Sequence, residues 1–409
     1  MTGTGTLEDP YVILTRADLE AVDDNMSANY ALGADISLSG ADWIPLGGIV
    51  ANGWSAEEFT GSFDGRGHAI SDMTIHADEA WSEGGSLFGW VSGGVKNVNI
   101  CNANIYLSGA FSMDGVGILC TESGDARLEN CYVSGTIHLD FSSDGYATDV
   151  GGLVGYTWGD GSFSRCGADL KIITTGTTAS GGAANVGGFL GYNTGLTTTS
   201  VVDVITTLEA ETDANGDVDV LWYAGGIVGL AQGNITISNC RATVNLRGDV
   251  DGAGYPSRFG GLVGELRLNA NLGVQTASIC DSDASGALSC QQAGGGIIGE
   301  INLMPSVGEA VNTLTIARCS TNVDVHVGKY GGGLCGYRES EEGTAYFTDC
   351  YALGLVHCHE PYDSPSDCIG GFIGADLAGS IYTNCYAAGE VIGEAGGTDI
   401  GGFAGKVWA

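Results

Sequence analysis

Gly151-Gly152-Leu153-Val154-Gly155 is a phrase of two glycines, two apolar residues and a third glycine, and it recurs about once every 35 residues down the chain. Copies stand at Gly187-Gly188-Phe189-Leu190-Gly191, Gly225-Gly226-Ile227-Val228-Gly229, Gly260-Gly261-Leu262-Val263-Gly264 and Gly295-Gly296-Ile297-Ile298-Gly299. Three more follow at Gly332-Gly333-Leu334-Cys335-Gly336, Gly370-Gly371-Phe372-Ile373-Gly374 and Gly401-Gly402-Phe403-Ala404-Gly405. Looser copies precede them at Gly85-Ser86-Leu87-Phe88-Gly89 and Val116-Gly117-Ile118-Leu119-Cys120. A fixed period of this length means stacked units, each burying its apolar face only against its neighbours.

Some 14 residues after the second glycine comes a run that opens on a small residue and then alternates. Cys131-Tyr132-Val133-Ser134-Gly135-Thr136-Ile137, Cys240 to Leu246 and Cys385 to Val391 are examples. Small or apolar residues at the first, third and often seventh positions share one face of a strand. Two or three short strands per unit, with no helical period inside, fit one coil of a parallel β-helix. The tetratricopeptide unit needs amphipathic helices, and propeller blades need four strands in a longer unit. The expected fold is all-β: a right-handed parallel β-helix of about ten rungs, on the order of 50 Å long at the usual strand spacing.

Residues 1–80 lack the phrase and read as a small N-terminal α/β cap, with 81–409 as the repeats. Tyr11 to Leu14, Ala34 to Leu38 and Ala69 to Ile75 read as strands, and Phe63 to His68 as a tight turn. Thr15 with Asp18 three residues on makes a capping box, and Leu19, Val22 and Met26 at helical spacing predict a short helix over 16–26. Such a helix would shield the open strand edge.

Seventy glycines with six prolines suit short strands and tight turns rather than collagen. The 49 acidic residues against 14 basic give a formal charge of −35, which repels phosphate backbones and anionic membranes. The acids are scattered, as on a solvated surface. No stretch approaches the roughly 18 apolar residues that span a bilayer. The N-terminus carries no signal-segment pattern, and the chain reads as a piece of something longer.

Cys101, Cys131, Cys166, Cys240, Cys280, Cys319, Cys350 and Cys385 occupy what reads as one place in successive repeats, and Val202 stands at the matching spacing in the rung without one. A valine substitute points to packing, so these form a structural ladder of small buried side chains rather than a redox or metal ladder. Cys358 and Cys368 bracket a polar, proline-containing insertion and are expected to pair as a local disulfide in an extracellular setting. His357, His359 and Asp363 lie near them, yet the spacings match no strong metal signature. Cys120 and Cys335 lie within the phrase and read as buried. Cys290 has no evident role.

Catalytic chemistry is hard to find. Asp23-Asp24, Asp249-Asp251 and Asp281-Asp283 have spacings that a glycosidase pair could use, but solvated acids are the plainer reading. No phosphate-cradling loop and no nucleophile motif is present. Trp90, Tyr156, Tyr192 and Tyr337 follow the third glycine and could form a strip of surface aromatics for a sugar or a protein partner. Covering the turn is their plainer role. No catalytic residue, cofactor or metal ligand is assigned.

The phrase with its downstream Asn130-Cys131-Tyr132 and Asn384-Cys385-Tyr386 resembles the GLUG-motif family of bacterial surface proteins. Gly5 to Ile13 and Phe63 to His68 look like the lead-in to those repeats. The resemblance implies a secreted or surface-exposed bacterial protein, since such repeats occur in adhesins and in accessory segments of immunoglobulin-A-cleaving metallopeptidases. The peptidase His-Glu-x-x-His is absent. The sequence therefore predicts a non-catalytic adhesion module, an acidic rod presenting loops at residues 139–149, 173–186, 247–258 and 356–369. A carbohydrate-active enzyme and a plain stalk are the alternatives. The expected partner is a host protein or glycan, with divalent cations admitted by the charge. Nucleic acid and membrane insertion are excluded, and a monomer is expected.

Overall fold

The computed structural model describes residues 1–48, 57–77, 85–108, 115–141, 148–176, 184–194, 198–212, 221–248, 257–269, 273–304, 311–339, 343–359, 367–393 and 399–407. Successive coils climb a parallel β-solenoid. One coil runs through strands Arg127–Glu129, Tyr132–Phe141, Thr148–Gly151 and Val154–Thr157, and the next repeats the path. The four strand positions build four sheets, here sheets 1 to 4 in coil order, of 12, 14, 9 and 10 strands. Each coil thus holds four strands where the sequence suggested two or three. Pairing between coils is parallel and mostly in strict register, as in Leu128↔Phe163 of sheet 1 and Val154↔Leu190 of sheet 4.

Alternation puts the apolar set inside. In Arg241–Arg247 the inward residues Ala242, Val244 and Leu246 are buried between half-exposed or exposed neighbours. One continuous core runs from Ile13 to Ile373. Rings meet edge to face within it from coil to coil, as Phe163 against Phe189 with centroids 5.3 Å apart. Each buried large side chain contributes about 1.5–3 kcal/mol of transfer free energy, repeated on every level.

Two corners repeat with little change. Between sheets 3 and 4 the phrase turns the chain in two residues, for example Gly152-Leu153 between Gly151 and Val154. Its glycines have no left-handed backbone; close approach is what requires them. A Cβ on Gly261 would lie 2.0 Å from the Gly296 carbonyl oxygen, and one on Gly260 would lie 1.9 Å from that of Val263. Between sheets 1 and 2 the turn is made by one left-handed residue, among them Asn130 (φ 53°), Arg165 (φ 53°), Asp203 (φ 56°), Asn239 (φ 53°) and Asp281 (φ 52°). Asn and Asp tolerate that conformation through local hydrogen bonds.

The N-terminal segment joins the same sheets. Tyr11–Ile13 begins sheet 1, and Thr2 bridges its outer edge through the Val12 N–H at 2.7 Å. The Thr15 hydroxyl caps the helix by accepting from the Asp18 N–H at 3.2 Å. That helix is shorter than the 16–26 expected: Arg16–Glu20 is α-helical, Ala21–Asp24 is a 3-10 turn, and Asn25 leaves the helix at φ −157°. The run Ala69 to Ile75 divides into two strands because Asp72 is left-handed at φ 59°. At the other end, exposed Ile381, Ile400 and Val407 mark a last coil whose strands have partners on one side only among the described residues. No helix among the described residues is long and apolar enough to cross a membrane.

Candidate functional site

The glycine corner lets sheets 3 and 4 approach backbone to backbone, so their outward side chains meet in a seam beyond the turn. Sheet 3 sends in Asp149, Asn185, Tyr223, Arg258 and Tyr330, which lie in one register column. Sheet 4 answers with the column that follows the third glycine of each phrase, including Tyr156, Tyr192, Glu265, Glu300 and Tyr337.

At mid-rod the seam holds an ionic cluster. Arg258 Nε reaches Glu300 Oε2 at 2.5 Å and Glu265 Oε2 at 3.8 Å, while Arg267 Nη2 reaches Glu265 Oε1 at 2.6 Å. The Arg258 guanidinium also lies over the Tyr223 ring, 5.4 Å from its centroid. Both carboxylates are only 1% exposed. Burial pushes the Glu300 carboxyl up to about 8; Arg258 opposes the rise and the Glu265 charge adds to it. A carboxylic acid protonated near neutral pH beside a second carboxylate is the arrangement used for general acid catalysis. Here both are closed in and matched to arginines.

The expected surface aromatics do share one column, but not a free face. Trp90 packs edge-on against Trp158 at 5.5 Å, Tyr156 against Tyr192 at 5.5 Å, and Tyr337 stacks on Tyr330 at 4.3 Å. All four are half-buried within the seam, and Glu122, Leu230, Glu265 and Glu300 interrupt the column. The exposed rings stand elsewhere. Tyr351 and Tyr386 of sheet 2 stack at 5.2 Å with 7° between their planes, and Tyr386 is 52% exposed.

Register revises the cysteine ladder. Cys131, Cys166, Cys240, Cys319, Cys350 and Cys385 each follow the left-handed residue, and each thiol has two carbonyls within reach of its single hydrogen, one two residues before it and one in the preceding coil. For Cys240 these are Ser238 at 3.3 Å and Val201 at 3.5 Å. Val202 pairs with Ser164 and Ser238, so Val204, after left-handed Asp203, holds the cysteine place instead. Cys280 also aligns with Ser238, and buried Ser282 takes the ladder position with its hydroxyl donating to the Cys280 carbonyl at 2.7 Å. Cys101 lies in sheet 2 beside a register shift, and Val98 fills the corner. Cys120 and Cys335 are fully buried. Cys358 donates to the His359 carbonyl at 3.3 Å, and Cys368 faces an Asp399 oxygen at 3.9 Å. Residues 360–366 between them lie outside the described residues, as do 142–147, 177–183 and 249–256, which make up most of the other predicted loops.

The acid pairs separate. Asp23 accepts from the Gly47 N–H at 2.6 Å. Asp281 and Asp283 pair across coils with Arg318 and Arg241, each at 2.6 Å. Asp249 and Asp251 lie outside the described residues. Arg165, Asp203, Ile205, Asn239 and Arg241 line an open groove of about 470 Å3 along the sheet 1–sheet 2 corner, with Asp281 and Asp283 at its far side. The left-handed ladder that forms this groove went unread in the sequence; its signal is the Asn, Asp or Arg before each corner residue. Among the described residues one group of metal-ligating side chains converges: His326, His357 and His359 on sheet 2.

A family model described as the GLUG motif matches residues 221–247. The chain carries the GLUG motif. The matched segment is one full coil, from Leu221–Gly225 through Val228–Gln232 and Ile235–Ser238 to Arg241–Arg247. Halomucin of Haloquadratum walsbyi is 35% identical over 167 residues, covering 38% of this chain and 2% of that protein. The chain thus spans about 2% of the length of this curated relative. A solved structure described as a candidate immunoglobulin A1 protease from Bacteroides ovatus shares 18% identity at a TM-score of 0.42, covering 96% of this chain and 86% of that one. Another, an IgA1 protease, shares 16% at a TM-score of 0.48, with 86% and 21% covered. Likenesses this loose carry no argument about activity.

Proposed function

We propose that this GLUG-repeat chain is a non-catalytic adhesion module of a secreted or cell-surface protein: an acidic rod, capped by residues 1–80, that holds recognition loops out toward a host protein or glycan. The observation that carries the reading is the unequal treatment of the corners. Two of them repeat on nearly every coil. The link from sheet 2 to sheet 3 instead ranges from three residues (327–329, between His326 and Tyr330) to eleven (174–184, between the register-equivalent Ile173 and Asn185). The link from sheet 4 back to sheet 1 varies as well, from four residues (232–235, between Ala231 and Thr236) to thirteen (302–314, between the register-equivalent Ile301 and Thr315), and variable links on a fixed scaffold are where binding residues gather. The likeness to a stretch of halomucin supports surface association.

The second reading is a polysaccharide-cleaving enzyme using surface carboxylates, such as Asp203, Asp281 and Asp283 along the open groove. Exposing the chain to a panel of glycans and matrix proteins, with polysaccharide-degradation assays alongside, separates the two. The adhesion reading expects saturable binding with no product. Product formation that disappears in Asp281→Asn or Asp283→Asn would establish the enzyme instead.

A further inference from the structure

Three of the six histidines of this chain come together on the outer face of sheet 2. His326 and His357 are register partners on adjacent coils, in strands Ser320–Val327 and Val356–Cys358. His359 follows two residues after His357, and its N–H continues the ladder by donating to the Val327 carbonyl at 2.9 Å. Alternation points all three imidazoles outward, while Val325, Val327, Val356 and the Cys358 side chain point into the core. The rings crowd one another: His326 lies 5.6 Å from His357 and stacks on His359 at 5.5 Å, and His357 lies 4.2 Å from His359.

One ligand nitrogen from each ring lies within 4.8 Å of the others. Bonds of about 2.0–2.1 Å from a single ion to imidazole nitrogens bridge pairs up to about 4 Å apart, so a small ring rotation closes the set. His68 and His76 each sit 3.1 Å from a carboxylate, of Asp35 and Asp42. The neighbouring acid of the triad, Asp324, instead turns its Oδ1 to the Leu355 N–H at 3.0 Å. Ser289 and Ile392 flank the histidine column on the adjoining coils. Three imidazoles converging from two adjacent coils are a donor set for borderline transition metals, which prefer imidazole over the water and carboxylate ligands of calcium or magnesium.

We propose that His326, His357 and His359 bind one divalent transition-metal ion of the zinc class, leaving at least one coordination position open. The open position would give the loop-bearing face a metal-dependent contact for a ligand oxygen or nitrogen. The site is independent of the adhesion reading, because it stands on geometry alone.

The test is a titration of the whole, reduced chain with Co2+ and Zn2+. One equivalent should bind, the cobalt spectrum should show visible ligand-field bands without a sulfur-to-cobalt charge-transfer band, and His326→Gln with His357→Gln should weaken binding at least about tenfold. His138→Gln, in the same column several coils away, should bind as the parent does. If the double variant loses its β spectrum, His359→Gln, beyond the strand end, replaces it. A sulfur band, binding unchanged by the histidine substitutions, or no binding to the parent chain would each overturn the proposal.

Discussion

At the corner between sheets 3 and 4 the full glycine phrases leave room for nothing larger than hydrogen, although Ser86 and Ile118 take the second-glycine place in two early coils, whereas at the corner between sheets 1 and 2 the residue changes from coil to coil and the backbone does not. A Cβ on Gly261 would overlap a backbone carbonyl of the next coil at 2.0 Å, and neither partner can move without breaking a ladder. The other corner needs only a left-handed residue and a small side chain after it. Asn239-Cys240, Asp203-Val204 and Asp281-Ser282 all serve. One corner is therefore specified by exclusion and the other by a permissive local conformation. Their tolerance to substitution should differ accordingly.

Gly261→Ala tests the first corner hardest. It should destabilise the stack by about 3–5 kcal/mol or unfold the coils around it, read as an early loss of β signal in urea. No change in the midpoint would break the comparison.

Glu300 lies just beyond the same corner, and its response to pH gives the next effect. Its carboxyl is raised from 4.5 to about 8, so the folded chain holds a proton that the unfolded chain has released. Stability therefore declines as pH rises from about 4.5 to 8. Asp367, raised by burial from 3.8 to about 6, contributes to the same trend only up to that pH. Between pH 6 and 8 Glu300 should cost of order 2 kcal/mol. Melting curves at several pH values should show this slope in the parent and lack it in Glu300→Gln. An equal slope in both would remove Glu300 from the account.

The second corner should respond more mildly. Asn239→Ala loses a residue suited to φ 53° and its Nδ2 bond to Asp203 Oδ1 at 2.5 Å, and should cost about 1–2 kcal/mol. Asn239→Gly should recover most of that. Cys240→Val reproduces what Val204 already does one coil earlier and should shift stability by less than about 1 kcal/mol. A larger loss from Cys240→Val than from Gly261→Ala would invert the comparison.

These contrasts also explain what was legible beforehand. The glycine phrase is visible because close backbone approach selects glycine in every full copy, so its period survives in the sequence and gives the fold class. The cysteine ladder was readable only in part. Val202 and Val204 flank Asp203, alternation alone suits either valine, and only the left-handed Asp203 selects Val204. The Arg258–Glu265–Glu300 cluster is assembled across two coils and two sheets, so no local spacing announces it. His326 stands one coil before His357, and the pair becomes adjacent only when the register is known.

Replacing residues 174–184 with a three-residue link copied from 327–329 tests most directly the claim that the corners make the rod and the insertions act. The chain already makes this connection in three residues elsewhere, so the shortened rod should keep its melting temperature within a few degrees. The same exchange at each long link should identify one whose removal abolishes the ligand binding found in the glycan and matrix-protein screen. Collapse of the fold, or binding that survives every shortening, would contradict the account.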